Sequence, residues 1–131
     1  MRDIPVLQAK RFGVYSCRLD DSLKHAADTM TNRNISCLVV VDEHAELKGI
    51  ITRIDLVRAA YWEPKWAQGR VQDYMNPNVV TVNLDDKLQR VMELLIDRHI
   101  HRVVAVREEN GRKIPMGVLS AADVVYHMSK E

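Results

Sequence analysis

The sequence predicts an α+β fold made of two copies of one unit. Three observations carry this reading. First, LDDSL at 19–23 returns as LDDKL at 84–88, an offset of 65. Second, GIITRIDLV at 49–57 returns as GVLSAADVV at 117–125, an offset of 68. This superposes Gly49 on Gly117, Thr52 on Ser120 and Asp55 on Asp123. Third, each copy carries paired β-branched runs, CLVVV with GIIT and RVVAV with GVLS, which fit buried strands better than helices. A repeat of this length has to be recognised first, because missing it misassigns the whole fold.

Each copy reads in the same order. Asp20 and Asp85 stand where an N-cap belongs, before apolar residues at helical spacing: Leu23, Ala26, Ala27 and Met30, then Leu88, Val91, Met92 and Leu95. Strands over 37–41 and 102–106 follow, then turns, then strands over 49–52 and 117–120. The change of offset falls in EENGRKIP, a Gly- and charge-rich turn that accepts insertion readily. Helices over 53–61 and 121–128 close the copies, and Val14–Arg18 and Val79–Asn83 lead into them. The copies join near 62–76, where Trp62, Pro64 and Trp66 break the pattern and VQDYM (71–75) forms a helical turn or two before Pro77. Neither copy has helix enough to cover both faces of a sheet, so the copies are expected to pack on each other.

The length of 131 residues fits one compact domain. Hydrophobic residues make up 47% and charged residues 28%, a composition that excludes disorder. Lys+Arg is 19 against 18 for Asp+Glu, so binding of nucleic acid or an anionic membrane through bulk charge is disfavoured. Apolar runs stop at about five residues, short of a membrane span, and the amino-terminal stretch lacks the apolar core of a secretory signal. A cytoplasmic location is expected, with Cys17 and Cys37 as buried reduced thiols.

The informative local pattern is strand, then Thr52-x-x-Asp55, then helix, repeated as Ser120-x-x-Asp123. One reading is a capping box that satisfies orphan amides at the helix start. The other uses the same place for a ligand: helix amides attract phosphate, and an aspartate accepts from ribose hydroxyls. The double occurrence weakens the cap-only reading. Ile100-His101-Arg102 enters the second copy's strand, where Arg102 offers a fork of donors to phosphate and His101 one more; the alternative is an exposed edge pair. His99 and His101 lack a further ligand at metal spacing, so no metal site is expected. Trp62 and Trp66 read as hydrophobic anchors, and Met75 and Met92 as core filler. No phosphate loop, GxSxG, HExxH or CxxC occurs, and the Asp20-Asp21 and Asp85-Asp86 pairs read as helix-start residues, so an enzyme is not expected.

These repeats, with VQDYMNPNVVTVNLDDKLQRVMELLIDRHIHRVVAV, resemble the CBS domain, here as a tandem pair (a Bateman module) over about residues 12–128. The resemblance implies two β-α-β-β-α units packed around a pseudo-two-fold axis: domain 1 over 12–61, a linker with a short helix over 62–76, and domain 2 over 77–128. It implies a regulatory sensor, with no catalytic cofactor, that binds an adenosine-containing ligand such as AMP, ADP, ATP or S-adenosylmethionine. It further implies a homodimer. Ribose and phosphate roles carry over to Thr52 with Asp55 and to Ser120 with Asp123. One implied cleft uses Ile50, Thr52, Arg53 and Asp55 with Val79, Val80, Ile100 and His101. The other uses Val118, Ser120 and Asp123 with Val14, Tyr15, Ile35, Ser36 and Arg102. Apolar side chains would hold the adenine and polar ones the sugar and phosphate. The pattern departs at Ala121-Ala122, which removes phosphate donors, and at Ser36-Cys37, which replaces a His-Arg pair. With no effector domain in the sequence, the output is expected to act on a separate partner protein. The competing readings are a ligand-free oligomerisation module and a nucleic-acid-binding regulator using Arg53, His101 and Arg102; near-zero net charge counts against the latter.

Overall fold

The β-branched run Cys37–Val41 forms β2, the centre of a three-stranded sheet. β1 (Ser16–Arg18) pairs with it in parallel and β3 (Leu47–Thr52) antiparallel. α2 (Leu23–Arg33) connects β1 to β2, as a parallel pair requires, and α3 (Arg53–Trp62) follows β3 directly. The second repeat builds the same sheet from β4 (Thr81–Asn83), β5 (Arg102–Glu109) and β6 (Arg112–Ser120). α5 (Leu88–Asp97) and α6 (Ala121–Ser129) complete it. Each repeat is therefore β-α-β-β-α, and the leading segments seen in the sequence contain strands. The computed structural model describes residues 1–131.

Two compact units divide the chain, where length alone fits one. Tyr15–Val79 forms the first; Met1–Val14 and Val80–Glu131 together form the second. The first unit is centred on Leu23, Leu38, Val40, Ile51 and Val71, and the second on Val6, Leu88, Val91, Val103 and Leu119. Burying one such Leu or Ile side chain contributes about 1.5–3 kcal/mol. Partly buried Trp66 and Met75 pack on the first core and Met92 on the second, while Trp62 stays 77% exposed.

The short helix α4 (Val71–Tyr74) closes the first unit, and its counterpart α1 (Val6–Ala9), which the sequence pattern does not reveal, closes the second. The 65-residue offset holds for their hydrogen bonds. Val71 N donates to Asp21 O (2.9 Å) and Gln72 N to Leu19 O (3.0 Å). Val6 N donates to Asp86 O (2.7 Å) and Leu7 N to Leu84 O (2.9 Å) in the same way. The first repeat thus takes the short helix that follows it, and the second takes the one at the amino terminus.

Several expectations are corrected. Asp20 and Asp85 are not N-caps. α2 begins two residues later and is capped by Ser22, whose Oγ accepts from His25 N (3.0 Å); Lys87 occupies the equivalent place before α5 without a side-chain cap. The neighbouring aspartates turn back instead: Asp21 accepts from Arg18 N and Asp86 from Asn83 N, each at 2.8 Å, which closes the strand-to-helix turn. Cys17 is buried, and burial, reinforced by the Asp21 charge, pushes its thiol up to about 12; Cys37 is only half-buried. The extra residues of the second repeat lengthen β5 and β6 into a hairpin that turns at Asn110 and Gly111, both with positive φ, the geometry an Asn-Gly hairpin turn needs.

Candidate ligand site at two acid-bearing helix openings

Thr52 and Ser120 each end a strand in extended backbone and start a helix, so the following aspartate falls at the third helical position with its carboxylate turned back on the opening. Asp55 Oδ2 accepts from Thr52 N (2.8 Å) and Thr52 Oγ1 (2.9 Å). Asp123 Oδ2 accepts from Ser120 N (2.8 Å) and, at 3.4 Å, Ser120 Oγ. In each repeat the cap uses one carboxylate oxygen and leaves the other for something else.

The second oxygen distinguishes the repeats. Asp55 Oδ1 has Arg58 Nη1 at 3.6 Å, from a side chain 68% accessible, so this ion pair is weak and readily exchanged. Asp123 Oδ1 instead accepts from Arg11 Nε at 2.8 Å, and only 8% of its side chain meets solvent. That is a charge-assisted bond, roughly twice the strength of a neutral one. The residue in the Arg58 position of the second repeat is Tyr126, and the Arg11 guanidinium lies 4.7 Å from its ring centroid. The compensating cation comes from the same helix in one repeat and from the amino-terminal segment in the other.

The remaining expected site residues fall as follows. In the Tyr15–Val79 unit, Ile50 is buried in β3 opposite Val39 and exchanges backbone bonds with Asn76 (3.0 and 2.9 Å). Arg53 N donates to Ser36 O (3.0 Å), which ties the α3 opening to the entry of β2, and Arg53 Nη2 reaches Asn34 Oδ1 (3.4 Å). Ile35 packs on the core. Tyr15 O accepts from Val39 N (3.1 Å), and the Tyr15 ring lies beneath the Arg33 guanidinium (5.2 Å). Val79 is half-buried at the end of the unit. In the other unit Val80 O accepts from Val104 N (3.0 Å), repeating the Tyr15 arrangement. Arg102 opens β5 opposite Ser120, and Val118 pairs with Val104. Ile100 packs on the core, His101 is exposed, and Val14 is half-buried. The structure therefore groups Ser36, Thr52, Arg53 and Asp55 at one opening and Arg102, Ser120 and Asp123 at the other. Sequence reasoning missed Arg11. It stands 112 residues from Asp123 and aligns with Asn76, so only an extension of the repeat upstream to Val6 and Val71 would have drawn attention to its segment.

A duplicated β-α-β-β-α unit with an acid at each closing helix defines a class of protein, and comparison with known proteins identifies it. The CBS domain family model matches residues 3–61 and 71–130, so the chain belongs to the CBS domain family, as a tandem pair. A mitochondrial CBS domain-containing protein of Arabidopsis thaliana, CBSX3, is 31% identical over 114 residues, 83% of this chain and 53% of that protein. Inosine-5'-monophosphate dehydrogenase of Nitrosopumilus maritimus is 30% identical over 125 residues, 91% of this chain and 24% of that enzyme. The chain thus spans about half, or less, of these curated relatives. Among solved structures, the CBS-domain protein ATU1752 from Agrobacterium tumefaciens has a TM-score of 0.78 at 28% identity, covering 95% of this chain and 99% of that one. The CBS domain pair of protein MJ0100, solved in complex with 5'-methylthioadenosine and S-adenosyl-L-methionine, has a TM-score of 0.84 at 23% identity, with 98% of each chain covered. No helix is long and apolar enough to cross a membrane.

Proposed function

We propose that this CBS pair is a non-catalytic regulatory module that binds an adenosine-containing ligand (AMP, ADP, ATP or S-adenosylmethionine) at the acid-bearing helix openings and modulates a separate partner protein. The observation that carries this is Asp55: its cap uses Oδ2, while Oδ1 faces only an exposed, weakly held arginine. A ribose hydroxyl can donate to that oxygen without undoing the cap. The adenosyl ligands of the MJ0100 pair, whose fold this chain shares, support the ligand class. Ligand binding would act by shifting the population toward whichever arrangement it contacts best. Ile54, Val57, Tyr61 and Trp62 lie at helical spacing along α3 and are 52–77% exposed, a face that supports a homodimer.

Calorimetry with AMP, ATP and S-adenosylmethionine tests the reading. Asp55→Ala is expected to weaken binding at least about 10-fold, the size of one lost hydrogen bond to a charged group. Equal affinity in wild type and variant would remove Asp55 from the site. The second reading, a ligand-free oligomerisation module, draws on Asp123, both of whose oxygens are satisfied within the protein. It expects no heat with any of the three ligands, and a dimer by light scattering in their absence.

A further inference from the structure

The two helix openings differ in one respect that the repeat pattern does not foretell: in the second, a side chain of the protein already holds the carboxylate oxygen that the cap leaves over. Arg11 Nε donates to Asp123 Oδ1 at 2.8 Å, the oxygen the cap leaves over. The guanidinium is stacked at 4.7 Å from the Tyr126 centroid and 5.1 Å from that of Phe12. Two residues upstream, Ala9 O is bonded to His127 Nε2 at 2.7 Å. Asp123, Tyr126 and His127 are spaced i, i+3 and i+4 on α6, so one face of that helix holds the strap Ala9–Phe12. In the first repeat Asn76 stands at the place of Arg11, and no strap residue bonds to Asp55; the cation near it is the exposed Arg58.

We propose that Arg11 is a built-in competitor for Asp123, which makes the two openings fill in order. The Asp55 opening accepts an adenosine ribose directly. The Asp123 opening accepts one only when Arg11 swings off the carboxylate, so the second event is weakened by the cost of breaking a charge-assisted, ring-stacked contact. This inference rests on the ribose role proposed for the two aspartates. Its consequence is that one chain reports ligand over two concentration ranges, with movement of the amino-terminal strap tied to the higher one.

The test compares wild type, Asp55→Asn, Arg11→Met and the double variant Arg11→Met/Asp55→Asn by calorimetry and native mass spectrometry, with AMP and S-adenosylmethionine as probes. Wild type is expected to bind a first, tighter equivalent that Asp55→Asn removes, and a second, weaker one. Arg11→Met is expected to tighten the second equivalent about 10- to 100-fold, the equilibrium equivalent of a hydrogen bond to a charged group, and the double variant to retain one equivalent. The Arg11 Nε–Hε resonance in wild type should move only as the second equivalent binds. If Arg11→Met does not fold, Arg11→Lys, which keeps the charge but loses the planar fork, should give a smaller tightening. An unchanged or weaker second event in a folded Arg11 variant, beside an Asp55-dependent first event, overturns the competitor role and leaves the ligand reading standing. No binding in wild type or any variant overturns both.

Discussion

Gly49 and Gly117 hold the same place in the two repeats, yet a methyl group meets different surroundings at each. At Gly49 it would lie 2.5 Å from Met75 Sδ and 2.9 Å from Asn76 O, an oxygen fixed by the reciprocal bonds with Ile50. At Gly117 the nearest atom is Lys10 Cδ at 2.9 Å, part of a flexible chain, with Phe12 O at 3.4 Å. Gly49→Ala should therefore cost about 1–3 kcal/mol, as overpacking does, and Gly117→Ala less than about 1 kcal/mol; urea unfolding of both variants measures the difference. The superposed glycines were legible in the sequence, but their unequal tolerance was not, because it depends on segments 26 and 107 residues away from them in the chain. The same reason hid Arg11 while Asp55 and Asp123 stood out. A carboxylate at the third position of a helix leaves a local trace, and the partner of its free oxygen does not. The misplaced N-caps have a local cause: hydrophobic spacing fixes which face of a helix is buried, but in a run such as LDDSL it does not settle which polar residue caps and which turns back to the strand.

At the scale of elements, strands and long helices were readable because β-branched runs and the periodicity of Leu23–Met30 or Leu88–Leu95 are strong signals. α1 was not: α4, equally short, is marked by the proline that follows it, whereas VLQA lies upstream of the recognised repeat, and its role lies in the core it completes. Val6 is fully buried in the second unit, as Val71 is in the first. Val6→Ala and Val71→Ala should each cost about 2 kcal/mol from lost methyl burial. Hydrogen exchange should place the effects in different halves, with Val6→Ala raising exchange over 80–131 and Val71→Ala over 15–79. Faster exchange over 15–79 in Val6→Ala would contradict the assignment of α1 to the second unit.

At the scale of the whole molecule, near-zero net charge leaves specific contacts, rather than bulk electrostatics, to select a ligand. A ligand that binds only the folded state raises stability by mass action, about 2.7 kcal/mol at 100 times its Kd. Thermal denaturation with S-adenosylmethionine should show a rise that grows with concentration and that, over the lower of the two concentration ranges, disappears in Asp55→Asn. A rise of equal size in that variant would place the ligand elsewhere.

The assignment of α1 bears on how the molecule is made. Every piece of the 15–79 unit is contiguous, so all the residues of its core are made before residue 80 is reached. Residues 1–14 are synthesised before that unit and must wait for residues 80–131, which follow it. Met1 N lies 3.1 Å from Glu131 Oε1, so a rearranged chain in which residue 131 runs on into residue 1 and which starts at Tyr15 would place each unit in a single uninterrupted stretch and remove that wait.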